Sequence, residues 1–493
     1  MVAERESLGR RTAGAAAWNV AAYVSGRLIL LVSTIATARL LEPEDFGLLG
    51  LAIAITTFLD AFNAFGLPTA YVYFARHGDA DDDRIAHTTF SLSMAIGVLL
   101  TLATIAGSPL AAWFYDESRV TAILATLALG FVILSIGSVH DARLRLQLDF
   151  RRRFYAELGK NLAKGLGAIG LAVAGLGVWS LVLGHLLGSI AFTVTLLVVE
   201  RWRPRFVIDR ALAGQMLRYG AQMASVGLLS LAATNVDYVI IGRRLGPEPL
   251  GFYTVAFRLP SLAIRGTSAF VSQVVFSAFA KLADDAAALR SALLRSMRLM
   301  AYGTVPVSLG LATVAPAAVT ALFGSTWEPS GPLARILALY SLLWVLVYNA
   351  GDVYKAIGRP GLLTVTGAVA LFAAVPLIWI AAGHGIEEVA YAQLAVAACL
   401  LVAQLVLMHR VLQISPLQVL GALAPPLVAG GIMVLAVAGI QESLDAHSPW
   451  VQLLAAVPTG GVVYSLAVLA VDRSAVSSFR ELVGARSKAG DGS

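Results

Sequence analysis

Several polar or charged side chains fall inside long apolar runs of this sequence, where water cannot stabilise them. Arg27 sits near the middle of the first run, and Arg258 and Arg265 sit in the eighth. A charge at the centre of a membrane helix costs roughly 2.5–3.5 kcal/mol on insertion scales, so such groups face a cavity or a partner. Arg258 and Arg265 are seven residues apart, almost two helical turns, and project from one face. A guanidinium is a fixed fork of donors that phosphate oxygens accept in pairs, so the three arginines suit an anionic, phosphate-bearing ligand. Snorkelling to the interface or a structural ion pair is the alternative use of the same residues. Asp60 lies in the second run, with Asn63 one turn on and a Gly66-Leu67-Pro68 break after it. It either binds a coupling cation, Na+ or H+, or neutralises an arginine. Asp237, nearer the end of the seventh run, reads as a structural or gating partner rather than an ion ligand. His185, alone in the sixth run, titrates near neutral pH in water, yet a lone helical histidine is more often packed and hydrogen-bonded.

The runs themselves come from composition and length. Of 493 residues, 58% are hydrophobic and only 13% charged. A soluble domain carries about twice that share of charge, so whole-chain readings as a soluble, disordered or nucleic-acid-binding protein are excluded. The single cysteine, Cys399, excludes an internal disulfide and a cysteine-based metal site. A helical span needs about 20 apolar residues, and the stretches here exceed strand length and do not alternate, so helices are expected rather than a barrel. Fourteen runs are read at about 15–38, 46–74, 86–112, 120–140, 158–176, 178–199, 214–241, 251–279, 299–323, 333–354, 361–382, 388–409, 417–440 and 450–471. The N-terminus does not read as a cleaved signal peptide, because its apolar stretch is long and is interrupted by Asn19 and Arg27.

With the N-terminus placed inside, the inside segments hold 28 of the 36 Lys and Arg and the outside segments hold 5. That asymmetry gives both termini to the cytoplasm. The loop 143–154 (RLRLQLDFRRRF) mixes basic and apolar residues and is expected to touch anionic lipid headgroups, as is the basic linker 200–218.

The sequence also echoes itself at an offset of 204. Residues 38–49 (ARLLEPEDFGLL) match 242–253 (GRRLGPEPLGFY) at Arg39/Arg243, Leu41/Leu245, Pro43/Pro247, Glu44/Glu248 and Gly47/Gly251. A second echo aligns Asp141 with Asp352, each followed by a basic residue. An even six-plus-six duplication is a parallel repeat about the membrane normal, and two such lobes enclose a cavity. The expected organisation is an N-lobe at 1–199, a linker at 200–213, a C-lobe at 214–412, two extra spans at 413–472 and a tail at 473–493. By the repeat, Asp60 aligns with Ile264, next to Arg265, in the opposite lobe.

Several stretches resemble the polysaccharide transporter family of oligosaccharide-lipid flippases, within the multidrug/oligosaccharidyl-lipid/polysaccharide exporter superfamily. They are ARLLEPEDFGLLGLA (38–52), FGLPTAYV (65–72), LRLQLDFRRR (144–153), GVWSLVLG (177–184), RWRPRF (201–206), NVDYVIIGRRLGPEPLGFYTVAFRLP (235–260) and FAKLADD (279–285). The resemblance covers most of the chain. It implies an all-α polytopic protein of twelve to fourteen helices in two lobes, in a bacterial or archaeal cytoplasmic membrane. It implies export of a polyprenyl-diphosphate-linked oligosaccharide to the outer leaflet by a non-enzymatic carrier, with membrane lipids and glycan polymerase or ligase machinery as partners. Related flippases line their cavity with basic residues from the first and eighth spans, which by span and charge assigns Arg27, Arg258 and Arg265 to the diphosphate.

Enzyme signals fail. GLGAIG (165–170) formally matches a dinucleotide loop but lies inside an apolar run, where small residues read as close helix packing. Asp79, Asp81, Asp82 and Asp83 form an acidic run flanked by Arg76 and Arg84 and read as solvated. No P-loop is present, so no nucleotide cofactor is expected. The rival functions are a cation-coupled exporter of organic cations, disfavoured by three buried arginines, and a membrane glycan polymerase or ligase, disfavoured by short outer loops.

Overall fold

The structure, a computed structural model, describes residues 2–77, 81–261, 279, 282, 284–348, 350–359 and 361–472. Arg265 and the 473–493 tail lie outside the described residues. The helices, in chain order, are α1 (Val2–Ala38), α2 (Pro43–Phe65), α3 (Leu67–His77), α4 (Asp82–Tyr115), α5 (Arg119–Leu146), α6 (Phe150–Val173), α7 (Val178–Val199) and α8 (Arg210–Leu245). They continue with α9 (247–261 of the described residues), α10 (Ala286–Phe323), α11 (Ser330–Tyr348), α12 (Ala350–Ala356), α13 (Gly361–Ala381), α14 (Ile386–Leu412), α15 (Pro416–Ser443) and α16 (Pro449–Val471). No strand occurs among the described residues. Among the described residues, ten stretches are long and apolar enough to cross a membrane, with α11 and α12 counted as one. Large apolar side chains such as Leu99, Leu166, Phe372, Leu435 and Leu454 stay exposed, as a lipid-facing surface requires. The chain is an all-α, multi-pass membrane protein.

The helices start and stop where local chemistry dictates. Pro43 opens α2 at its first turn, and the Glu42 N–H donates to Asp45 Oδ2 at 3.3 Å. The expected second run is two helices, because Gly66 and the missing N–H of Pro68 break the ladder between α2 and α3. Of the stretch 143–154, expected as a loop, only 147–149 form a tight turn, the rest belonging to the end of α5 and the start of α6. Leu148 turns the chain at φ 58°, and the Asp149 side chain accepts the Arg152 N–H at 3.1 Å. That cap starts α6 at Phe150, eight residues earlier than the apolar pattern suggests, and draws Arg151, Arg152 and Arg153 into the helix.

The chain forms two compact units. One holds residues 1–254 with 374–386, the other 255–373 with 387–493.

In the first unit, α6 packs on α1 and α7 through small residues. A Cβ on Gly165 would sit 3.0 Å from Ser33 Cβ, one on Gly184 would sit 2.9 Å from Ala168 Cβ, and one on Gly188 3.0 Å from the Lys160 carbonyl. The GLGAIG segment is thus a close-packing surface. The two copies of the sequence echo meet in this unit. A Cβ on Gly47 would collide with the Pro247 carbonyl, and one on Gly251 with the Pro43 carbonyl. Each glycine faces the other copy's proline, the reciprocal contact that a twofold relation generates. Around this clasp, Arg119 bridges Glu44 and Glu117, Arg243 lies over Phe114 at 5.8 Å, and Arg244 over Trp379 at 4.8 Å.

In the second unit, α10 is the axis against which α11, α15 and α16 pack. Its core runs from Leu289 through Met297 and Val305 to Tyr354, Met408 and Leu423. The Ser415 hydroxyl accepts the Gln418 N–H at 3.2 Å while Gln418 Oε1 accepts the Ser415 N–H at 2.8 Å, a capping box that starts α15. Tyr302 donates to Asp472 at 2.6 Å and ties the end of α16 to α10.

Candidate functional site

Arg27 lies half-buried on α1, and its guanidinium stacks on the Tyr23 ring one turn earlier at 5.1 Å. Both line a cavity of about 360 Å³ in the first unit, with Ala22, Gly26 and Leu30 on one wall and Arg153, Glu157 and Asn161 of α6 on the other. Volumes of this order are typical of small-molecule sites. Among the described residues, no carboxylate is in ion-pair contact with Arg27. Arg153, by contrast, is held. Its Nε donates to Asp141 Oδ1 at 2.7 Å and its Nη2 to Glu157 Oε1 at 3.1 Å, while Arg145 takes the other Asp141 oxygen at 2.5 Å. The Asn161 amide donates to the Glu157 carbonyl at 2.8 Å and lies against Gly26 of α1, where a Cβ would sit 2.8 Å from its Nδ2.

Further along α6, two lysines lie inside the helix. Lys164 Nζ is 3.2 Å from His185 Nδ1 on α7. An ammonium can only donate, so Nδ1 accepts and the imidazole is neutral there. Lys160 lies over the Phe192 ring at 5.1 Å and 3.8 Å from Glu157 Oε2. It is also the cation whose field reaches the half-buried Asp60 of α2. A lysine of the same unit is therefore within electrostatic range of Asp60, while Arg265, the residue that the repeat alignment offered, lies outside the described residues. The side chain of Asn63, like Arg265, lies outside the described residues.

Asp237 is buried on α8 and accepts a hydrogen bond from Tyr253 of α9 at 2.7 Å. In the second unit, Arg258 is half-buried on α9, and its carbonyl accepts the Ser261 hydroxyl at 2.9 Å. Asp352 is buried and takes Lys355 at 3.1 Å, so both echoed aspartates hold basic residues. Of the acidic run, Asp82 accepts from Tyr71 at 2.7 Å and from Arg143 at 3.0 Å. It fastens α3 and α5 to the start of α4.

Sequence reasoning missed Tyr23, Asn161 and the interior lysines. The i, i+4 spacing of Tyr23 and Arg27 was the available signal for the first. The lysines already fell inside the expected run 158–176 but were read as topology-setting charge.

The comparisons with known proteins agree with this architecture. Over its whole length the chain is similar to the succinoglycan biosynthesis transport protein ExoT of Rhizobium meliloti, 25% identical and covering 95% of both chains. The teichuronic acid biosynthesis protein TuaB of Bacillus subtilis is 28% identical over 58% of this chain, which spans 59% of that protein. The lipopolysaccharide biosynthesis protein WzxC of Escherichia coli is 24% identical over 72% of this chain and 71% of its own. In fold the chain is similar to the lipid II flippase MurJ in an inward closed conformation, with a TM-score of 0.77 at 15% identity over 92% of this chain and 98% of that one. An inward-facing multidrug-resistance MATE transporter follows at 0.66 and 15% identity, over 79% and 94%. The sequence pattern of the family described as "Polysaccharide biosynthesis protein" matches residues 36–332, well over half of the chain, and the chain belongs to that family.

Proposed function

We propose that the protein is a flippase that moves a polyprenyl-diphosphate-linked oligosaccharide from the cytoplasmic to the outer leaflet of the cell membrane, for O-antigen, capsule or exopolysaccharide synthesis. The observation that carries this reading is Arg27: a guanidinium on a membrane helix, beside a cavity, with no carboxylate in ion-pair contact among the described residues. Such a charge calls for an anionic ligand. Arg258 and Arg265 join it as diphosphate ligands, the sugars occupy an aqueous cavity, and the polyprenyl tail stays in lipid. An N-lobe at 1–199 and a C-lobe at 214–412 alternate access, the last two helices standing outside them. The Gly47–Pro247 and Gly251–Pro43 clasp lies at the outer end of the first unit, beside Arg119 and Arg243. The protein is a carrier rather than an enzyme, and it hands its cargo to glycan polymerase or ligase machinery. Names of relatives such as ExoT, a succinoglycan transport protein, and MurJ, a lipid II flippase, support the reading. The test is deletion. Cells lacking the protein should accumulate the lipid-linked repeat unit on the inner leaflet and lose the surface polymer. Continued surface polymer would overturn the reading.

The orientation has its own test. Both termini are placed in the cytoplasm, which puts Gln147, in the α5–α6 turn, inside and Ser118, at the other end of α5, outside. Both residues are exposed, and the native Cys399 is exposed too and must be removed. In a Cys399→Ala background, an impermeant maleimide should label Ser118→Cys in intact cells and leave Gln147→Cys unlabelled. The reverse pattern inverts the topology.

Asp60 serves as the counter-charge of Lys160. Because Glu157 still pairs Lys160 at 3.8 Å, Asp60→Asn should lower membrane abundance only modestly, and Lys160→Met added to it should restore the protein. Loss of ion-dependent export at full abundance would instead make Asp60 a cation-coupling residue.

A further inference from the structure

The chain between α7 and α8 is a non-helical strap laid along the first turns of α4. The Trp202 carbonyl accepts from His140 Nε2 at 3.1 Å, and the Trp202 ring stacks on His87 at 5.1 Å with the Arg143 guanidinium over it at 5.6 Å. The Arg205 N–H donates to His87 Nδ1 at 3.2 Å, the Ser91 hydroxyl donates to the Val207 carbonyl at 3.0 Å, and Asp209 holds Arg84 at 2.6 Å. Exposure alternates along the strap as it does along a strand. Trp202 and Pro204 are half-buried against the protein, while Arg201, Arg203 and Arg205 turn outward. Phe206, Val207 and Ile208 follow, 76%, 47% and 54% exposed.

Three adjacent apolar side chains left outside mark a surface that something apolar covers. The three arginines beside them have no carboxylate in ion-pair contact among the described residues. The stretch 143–154, equally basic in sequence, differs. Arg143 pairs with Glu200, Arg145 and Arg153 with Asp141, and Arg152 with Asp149. Depth points the same way, because the strap touches α4 at His87, Phe90 and Ser91, where the apolar run of that helix begins. A surface at that level with cations next to apolar side chains fits a lipid headgroup and the start of its acyl chains.

We propose that the strap is a docking surface for an anionic phospholipid of the adjoining leaflet. Arg201, Arg203 and Arg205 grip the phosphate through their guanidinium forks, and Phe206 and Ile208 enter the boundary between headgroups and acyl chains. The 143–154 stretch, expected from the sequence to share this contact, takes little part because four of its arginines are already held by carboxylates. The inference concerns the lipid around the carrier and does not depend on the cargo.

The experiment titrates the full-length protein in detergent with phosphatidylglycerol or phosphatidylcholine and counts bound lipid by native mass spectrometry. The wild type should bind phosphatidylglycerol more tightly, and added salt should weaken that preference. The combined variant Arg201→Gln, Arg203→Gln, Arg205→Gln should lose about a hundredfold in phosphatidylglycerol affinity, about fivefold per cation, at unchanged Tm. Removing the same charge at the exposed Arg76, Arg359 and Arg410 should leave the preference in place. A preference kept by the strap variant overturns the proposal, as does a wild type that has none. An equal loss in the control variant reduces the preference to net charge and overturns the site. A loss joined to a lowered Tm assigns the arginines to the fold and overturns it as well. In vesicles containing phosphatidylglycerol, a fluorophore on Val207→Cys, in a Cys399→Ala background, should be quenched by brominated lipid and spared by aqueous iodide. The reverse places the strap in water, as a surface for a soluble partner, and overturns lipid docking.

Discussion

Gly47→Ala and Gly251→Ala should each destabilise the protein by about 1–3 kcal/mol, the range for forcing an extra carbon into a packed interior. The contact at each position is with a backbone carbonyl, which cannot swing aside as a side chain tip would. One of the two chain segments has to move. Because the contacts are reciprocal, the first substitution already separates the pair, and the second meets a gap that has opened. The double variant should therefore fall well short of the sum of the singles, by about 0.5–3 kcal/mol of coupling. Thermal unfolding of the purified protein and export in a deletion strain are the two readouts. Additive losses would mean two independent contacts. Wild-type Tm and export in both single variants would show that the clasp tolerates a methyl group and is no gate.

This contact also shows where reading the sequence stops. The offset of 204 found the two Pro-Glu-Gly segments and placed them at matching positions of a duplicated pattern. It carried no information on whether the copies touch, because similarity between two segments does not specify their packing. The helices were legible for a simpler reason: apolar length is the signal, and it survives whatever the neighbours are. Boundaries were legible where a strong breaker stood, as at Gly66-Leu67-Pro68, and misplaced where the pattern was mixed. Residues 150–157 are too basic to count as apolar, so α6 was started late, although Asp149 is a serviceable cap. Lys160 and Lys164 were counted as topology-setting charge although they lie inside the expected run 158–176, and the structure puts them against Phe192 and His185. His185 behaves as a packed, hydrogen-bonded residue, in keeping with its isolation in the sequence. Arg27 stood out in the sequence because a charge in an apolar run is conspicuous in any fold. Tyr23 did not, since a tyrosine on a membrane helix looks unremarkable until its ring is found beneath the Arg27 guanidinium.

Arg27 and Arg265 together should be indispensable for export and dispensable for folding. Arg27→Ala, Arg265→Ala should leave almost no surface polymer at near-normal membrane abundance. The physical ground is the absence of a carboxylate in contact with Arg27 among the described residues, which removes the usual cost of breaking a buried pair. No acidic group is stranded when the guanidinium goes; the Tyr23 ring loses only a stacking contact worth about 0.5–1 kcal/mol at an accessible site. Lysine keeps the charge and loses the planar fork, so Arg27→Lys should retain part of the export while Arg27→Ala retains little. A fold-stabilising arginine gives the opposite pattern: abundance falls first and export falls with it. The measurement is therefore surface polymer normalised to membrane protein, for both single alanine variants, the double variant and Arg27→Lys. Full export by the double variant would end the diphosphate assignment, and loss of export matched by loss of protein would return both arginines to the scaffold.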